Sequence, residues 1–245
     1  MNAMTDALTL HTQDVDYAYE GLALRGYLAY DDTHHRPRPG ILVVHDAGGL
    51  GEHAKDHARR LAALGYTAFA LDLFGGGKPV SDGMQRIRDL VTDVARWRGL
   101  AQAGLDALAR QPQTDARMAA IGYCFGGTTV YELARSGADL KGVVGFHSGL
   151  GPSSGDASQI KGKVLALIGA DDPLIPPEAR LAFEKEMRDG NVDWQMTVYG
   201  KTGHSFTNVN ADAMNRPGFF YQPQSDARSW AEMRRFFEEI FNGRA

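Results

Sequence analysis

The chain has a single cysteine, Cys124, in 245 residues. An internal disulfide is excluded, and the expected surroundings are a reducing cytoplasm. There is no apolar run near the ~20 residues that a membrane span needs. Met1 to Asp14 holds two acids and lacks the apolar centre of a signal peptide. Charge of one sign is not in excess either: 26 Lys and Arg against 30 Asp and Glu leave a net charge of −4. Neither nucleic acid nor an anionic membrane is therefore expected as a partner. Internal repeats and low-complexity segments are missing, and no motif specifies an oligomeric state.

What is present suffices for one large α/β domain over residues 1–245, with enough chain to bury a core unaided. Leu8 to Tyr19 and Leu22 to Tyr30 read as two strands joined at Glu20-Gly21, an N-terminal antiparallel hairpin. Asp31 to Pro39 reads as a polar loop. Short continuous apolar runs follow at Ile41 to Val44, Thr67 to Leu71, Met118 to Ile121, Gly142 to Phe146 and Val164 to Ile168. Such runs mark strands buried on both faces. Val192 to Tyr199 reads as a further strand. Helical patterns lie between them: Glu52 to Leu64, Met84 to Ala109 with a bend expected near Gly99 or Gly104, Thr128 to Arg135, Pro177 to Arg188, and Ser225 to Phe241. Alternation of this kind predicts a mostly parallel sheet with helices on both faces. Chemistry then gathers at the carboxyl ends of the strands.

One stretch stands out at those ends. Gly122-Tyr123-Cys124-Phe125-Gly126-Gly127 follows an apolar run and precedes a helical one. This is the pattern of a nucleophile elbow, a sharp strand-to-helix turn with a reactive side chain at its apex. A lone cysteine is more often a buried packing residue. The G-x-C-x-G-G frame argues instead for a nucleophile, since a helix N-terminus favours the thiolate. A base is still needed, because a free thiol with a pKa near ~8.5 is only a few per cent ionised at neutral pH. His204, in Gly203-His204-Ser205-Phe206 after the last strand, fits that part. Taken alone it reads as a surface-loop histidine. The orienting acid is Asp171 or Asp172, in a segment Gly169 to Pro176 that otherwise reads as a turn. The order cysteine, aspartate, histidine along the chain is that of α/β-hydrolases.

An oxyanion hole needs two amide donors. Phe125 N–H, directly after the nucleophile, is one candidate. Ala47 N–H, in the loop His45 to Gly51, is the other. That loop lacks the lysine of a phosphate-binding P-loop. His53 and His57, four apart on a helix, have a metal-like spacing but no further ligands, so no metal and no cofactor are expected. His45, Tyr123, His147, Phe206 and Asn208 are candidates for lining a substrate pocket. The loop Phe74 to Gly83 is a candidate cap.

These motifs resemble the dienelactone hydrolase family, the cysteine branch of the α/β-hydrolases, over Tyr17 to Phe241. The resemblance implies the α/β-hydrolase fold, a Cys124–His204–Asp172 triad and cleavage of a small ester or lactone. The family places its acid four residues before the last proline of the middle motif, which selects Asp172 over Asp171. It also implies a carboxylate that tunes the resting cysteine. Asp46 stands where the best-known members have glutamate, with His45 beside it. Those members hold a substrate carboxylate with an arginine four residues after the histidine, where this chain has Asn208. Arg86 and Arg88 lie near a second such place. Two rival readings are a glutaminase-like cysteine amidohydrolase, which pairs cysteine with histidine and glutamate, and a hydrolase-fold binding protein without activity.

Overall fold

Fully apolar strands can only sit in the middle of a sheet covered on both sides, and the chain builds its architecture around that requirement. The computed structural model of the protein describes residues 9–33, 36–151 and 156–243. The predicted strand start at Leu8, the loop histidines His34 and His35, and residues 152–155 of the loop after β6 lie outside them.

Among the described residues eight strands form one sheet: β1 Leu10–Tyr19, β2 Leu22–Asp31, β3 Arg38–Val44, β4 Thr67–Ala70, β5 Thr114–Tyr123, β6 Gly142–Phe146, β7 Lys163–Gly169 and β8 Trp194–Tyr199. Their spatial order is β1-β2-β4-β3-β5-β6-β7-β8. The β1–β2 hairpin and the β2–β4 pair are antiparallel, and every later pair is parallel. The expected mostly parallel sheet with an antiparallel N-terminal hairpin is what forms.

Among the described residues six α-helices cover it: α1 Glu52–Ala63, α2 Gly83–Thr92, α3 Val94–Ala109, α4 Phe125–Arg135, α5 Pro177–Asp189 and α6 Pro223–Asn242. On one face Leu61 of α1 and Phe237 of α6 pack against Ile41, Val43 and Ile121. On the other, Trp97 and Leu100 of α3, Val130 of α4 and Phe183 of α5 pack against Leu42, Val143 and Ala166. Successive side chains of each strand feed opposite layers, as the pleat demands. Among the described residues no helix is long and apolar enough to cross a membrane.

One expectation needs correction. The helical pattern from Met84 to Ala109 breaks at Asp93 (φ −124°, ψ 76°), not at Gly99 or Gly104. The Asp93 carboxylate accepts the Arg96 amide at 3.1 Å and so caps α3. The glycines serve close packing. A Cβ on Gly99 would lie 2.1 Å from the Tyr19 hydroxyl, and one on Gly104 would lie 2.9 Å from Leu71.

Candidate active site

β3, β5, β7 and β8 run parallel and end at one edge of the sheet, with β6 between β5 and β7, which brings four distant loops to that edge. The first is the elbow. Cys124 sits at φ 54°, ψ −119° between β5 and α4, a conformation that non-glycine residues adopt only when surroundings enforce it. Its amide donates to Phe146 O at 3.0 Å, and its carbonyl accepts the Gly127 and Thr128 amides. Phe125 opens α4, so its N–H has no intrahelical acceptor. Gly126 lets this turn press on the end of β3. A Cβ there would meet Val44 O at 2.2 Å and His45 O at 2.5 Å, so only glycine brings the elbow and the Ala47 loop together.

Asp172 follows β7 and is 4% exposed, while Asp171 beside it faces solvent. Asp172 Oδ1 accepts the Leu174 amide at 2.8 Å. Its Oδ2 accepts from His204 Nδ1, also at 2.8 Å. Of the two aspartates the sequence left open, Asp172 reaches the histidine. Arg180 of α5 steadies this loop by donating from Nη2 to the carbonyls of Gly169, Ala170 and Ile175 at 3.3, 2.9 and 3.2 Å. Gly169 allows the loop to abut the histidine loop, for a Cβ there would sit 2.3 Å from Thr202 O.

His204 is 1% exposed. Its amide donates to Gly218 O at 2.7 Å and its carbonyl accepts from Phe220 N at 3.2 Å, which pins the backbone on both sides. With Nδ1–H given to Asp172, Nε2 is left buried without a hydrogen-bond partner of good geometry. Burial disfavours the imidazolium. Hydrogen bonding to Asp172, then the interaction with Cys124, outweighs that burial and pushes the pKa up to about 9. Sulfur and imidazole are therefore electrostatically linked although no well-formed hydrogen bond joins them.

The Asp46 loop is more self-contained than the sequence suggested. Asp46 Oδ1 accepts the Gly48 amide at 2.8 Å and its carbonyl accepts the Gly49 amide at 3.2 Å. Its Oδ2 lies 3.7 Å from His53 Nδ1. The carboxylate thus serves its own loop and His53. His45 is 1% exposed and has both ring nitrogens engaged. Leu73 N–H donates to Nε2 at 3.2 Å, so Nδ1–H donates to Asp46 O at 2.7 Å. This histidine is a strut, and burial holds its pKa below the usual value. Asp72 steadies the Phe74–Gly83 segment by accepting the amides of Phe74, Gly75 and Gly77 at 3.0, 2.8 and 2.8 Å. The segment then lies along the Ala47 loop through the Val80 N–H to Gly48 O bond of 2.8 Å.

A cavity of about 240 Å³ borders the Asp46 loop; His45, Asp46, Glu52, His53, Asn208 and Asn210 are in its wall. Neither lysine nor arginine lines it. Of the expected pocket residues, His45 and Asn208 border this space. Tyr123, His147 and Phe206 are not in its wall; they are buried and packed beneath the site. They lie inward because β5, β6 and the histidine loop turn alternate side chains into the α1–α6 layer. Arg86 is tied to Phe74 O at 2.6 Å and to Asp82 at 2.7 Å, and it borders a separate groove between α2 and α3. Arg180, Asp72, His53 and Thr207 are contributors that sequence reading did not assign. For His53 the four-residue spacing from His57 signalled a shared helix face, and that face points at Tyr123. No group of three or more metal-type ligands occurs among the described residues.

Residues 24–241 match the dienelactone hydrolase family. A Yersinia pestis protein named "Putative carboxymethylenebutenolidase" is 29% identical over 94% of this chain and 89% of its own length. The solved structure called m3DLH superimposes with a TM-score of 0.91 at 47% identity, over 95% of this chain and 99% of that one. A dienelactone hydrolase-like promiscuous phosphotriesterase from metagenomic libraries superimposes with a TM-score of 0.91 at 42% identity, over 94% and 98%. The chain belongs to the dienelactone hydrolase family and is a hydrolase with the α/β-hydrolase fold.

Proposed function

We propose that the protein hydrolyses an uncharged ester or lactone through a Cys124–His204–Asp172 triad and an acyl-enzyme. The observation that carries this reading is the buried 2.8 Å bond from His204 to Asp172. It leaves the opposite imidazole nitrogen without a partner, beside the sulfur of a strained elbow. His204 Nε2 holds the thiol proton, and Cys124 Sγ attacks the carbonyl carbon as the thiolate. The amides of Phe125 and Ala47 receive the charge that builds on oxygen. Each such donor is worth roughly 2.7–4 kcal/mol in the transition state. His204 then passes its proton to the departing alcohol, leaving a thioester on Cys124. A water molecule, deprotonated by the same nitrogen, releases the acid and regenerates the thiol. Asp172 holds the imidazole tautomer and its positive charge.

The uncharged substrate class is argued from Asn208, which stands where family members clamp a substrate carboxylate with arginine and cannot replace a guanidinium in that part. A second reading is a neutral phosphotriester, supported by the 42% identical phosphotriesterase. The same thiolate and amide donors suit attack at phosphorus. A glutaminase-like amidohydrolase has less support, because the acid paired with His204 is an aspartate from the loop after β7.

The test is a panel of an aryl acetate, a neutral lactone, a carboxylate-bearing dienelactone and a diethyl aryl phosphate, run on wild type and Cys124→Ala. The expected result is turnover of neutral substrates in preference to the dienelactone. Wild type should gain the acyl mass at Cys124, and the variant should lose about 10³-fold or more in rate. Turnover by Cys124→Ala at the wild-type rate would rule the mechanism out.

A further inference from the structure

Beneath the candidate site runs a second polar chain. His147 Nε2 lies 2.9 Å from Thr207 Oγ1, and the same oxygen lies 3.4 Å from His53 Nε2. His53 Nδ1 lies 3.7 Å from Asp46 Oδ2. At the other end, the His147 ring meets the His204 ring edge-on, with centroids 5.2 Å apart. The links join the loop of the candidate oxyanion donor to the loop of His204, through residues from α1, the end of β6 and the histidine loop.

The proton count gives this chain one sensible direction. A threonine hydroxyl has one hydrogen to donate, so it can serve only one of its two histidines as donor. If Thr207 donates to His53 Nε2, then His53 Nδ1 carries hydrogen and faces the Asp46 carboxylate. His147 Nε2–H then donates to Thr207, and His147 Nδ1 is a bare lone pair. That nitrogen is buried and has no partner. The reverse direction would bury an unpaired N–H at His147 and aim a lone pair of neutral His53 at a carboxylate. Both are unfavourable. The first direction costs only an unmatched acceptor.

We infer that Thr207 is a positioning residue: its hydroxyl, held between His147 and His53, sets the Ala47 loop and the His204 loop in register across the reaction site. Thr207 is 3% exposed and three residues beyond His204. A shift of the floor under the His204 ring changes the angle at which Nε2 meets sulfur. The inference rests on the triad reading above, and the experiment separates the two.

Steady-state kinetics on the aryl acetate are measured for wild type, Cys124→Ala, Thr207→Val, Thr207→Ser and His53→Phe, with thermal unfolding of each. Valine keeps the shape of threonine and removes the hydroxyl. Thr207→Val should lose about ten- to hundred-fold in kcat, as small misplacements do, with KM within about twofold because no substrate contact is removed. Thr207→Ser should restore kcat to within about threefold, since the hydroxyl and not the methyl is the working part. His53→Phe breaks the chain at the end nearer Asp46, where the His53 side chain is 18% exposed. The double variant with Thr207→Val should be no worse than the poorer single one, as expected for residues acting as a unit. The proposal is overturned by wild-type kcat in Thr207→Val, by equal losses in the serine and valine variants, or by fully additive losses. If Thr207→Val does not fold, Thr207→Ser and His53→Phe decide it alone: wild-type kcat in His53→Phe overturns the proposal. If Cys124→Ala retains activity, the triad reading fails independently of these results.

Discussion

Helix α4 handles buried polarity in opposite ways at its two ends. At its C-terminal end Arg135 is sealed from solvent, yet every charge near it is matched. Its guanidinium donates to both Glu186 oxygens at 2.7 Å and to Glu132 at 3.0 Å. Glu132 is in turn held by Arg98 at 3.0 and 3.2 Å. At the N-terminal end, around Cys124, the buried polar atoms His204 Nε2, His147 Nδ1, His53 Nδ1 and the Tyr123 hydroxyl make no hydrogen bond among the described residues. Native interiors rarely leave such atoms unpaired, and those that do cluster at sites of chemistry. The guanidinium–carboxylate end is fully matched, and the end at Cys124 buries polar atoms that are not.

The largest effect should come from breaking the satisfied end. Arg135→Met leaves Glu132 and Glu186 facing one another without their shared cation. Loss of one partner from a buried network should cost about 3–5 kcal/mol, measured by urea unfolding. Replacing Glu132 with Leu in the same chain should recover part of the loss. A loss within experimental error would mean that the pairing is energetically idle.

A middle effect concerns the linked sulfur and imidazole. His204 is held at about 9 in the folded chain, against about 6.5 in an unfolded one. The folded state therefore binds the extra proton between those values. The resulting stability is complete below about pH 6.5 and is lost as pH rises through about 9. Cys124→Ala removes one of the two groups that favour the imidazolium. The His204 pKa should fall in an NMR titration, and the alkaline loss of stability should shrink. An unchanged titration would mean that Asp172 alone holds the proton.

The smallest effect tests an orphaned atom directly. Tyr123 stacks on Phe146 with centroids 4.8 Å apart and packs against His57 at 4.3 Å. Its hydroxyl is buried without a partner. Tyr123→Phe removes only that hydroxyl and should raise stability by up to about 1 kcal/mol, because an unsatisfied buried group carries a desolvation penalty. A loss of stability of that size would reveal a bond that the hydroxyl makes in solution.

Much of this molecule was legible along the chain. The apolar runs located the strands because a doubly covered sheet leaves no polar face. The glycine frame around Cys124 marked the elbow because only glycine tolerates backbone contact with β3. Other features were not legible, for reasons of the same kind. Asp93 was missed because a side-chain cap leaves no trace in hydrophobic periodicity, while Gly99 and Gly104 drew attention as possible bend points. Tyr123 adjoins Cys124 in sequence and His147 follows β6, but which face of the sheet they occupy depends on register. Asp46 occupies a family position for tuning the cysteine, and only its surroundings reveal the bond to Gly48 and the 3.7 Å approach to His53.

Sequence alone determined the chemistry on offer: a single thiol at a turn, an imidazole after the last strand, a carboxylate between them in order, and no cation in the place where arginine would grip an acid. Tertiary structure alone decided which histidines are struts and which polar atoms stay unmatched. Local patterns report what each residue can do with its neighbours in the chain. Hydrogen-bond partners across 32 or 60 residues are chosen by how strands and loops pack in space.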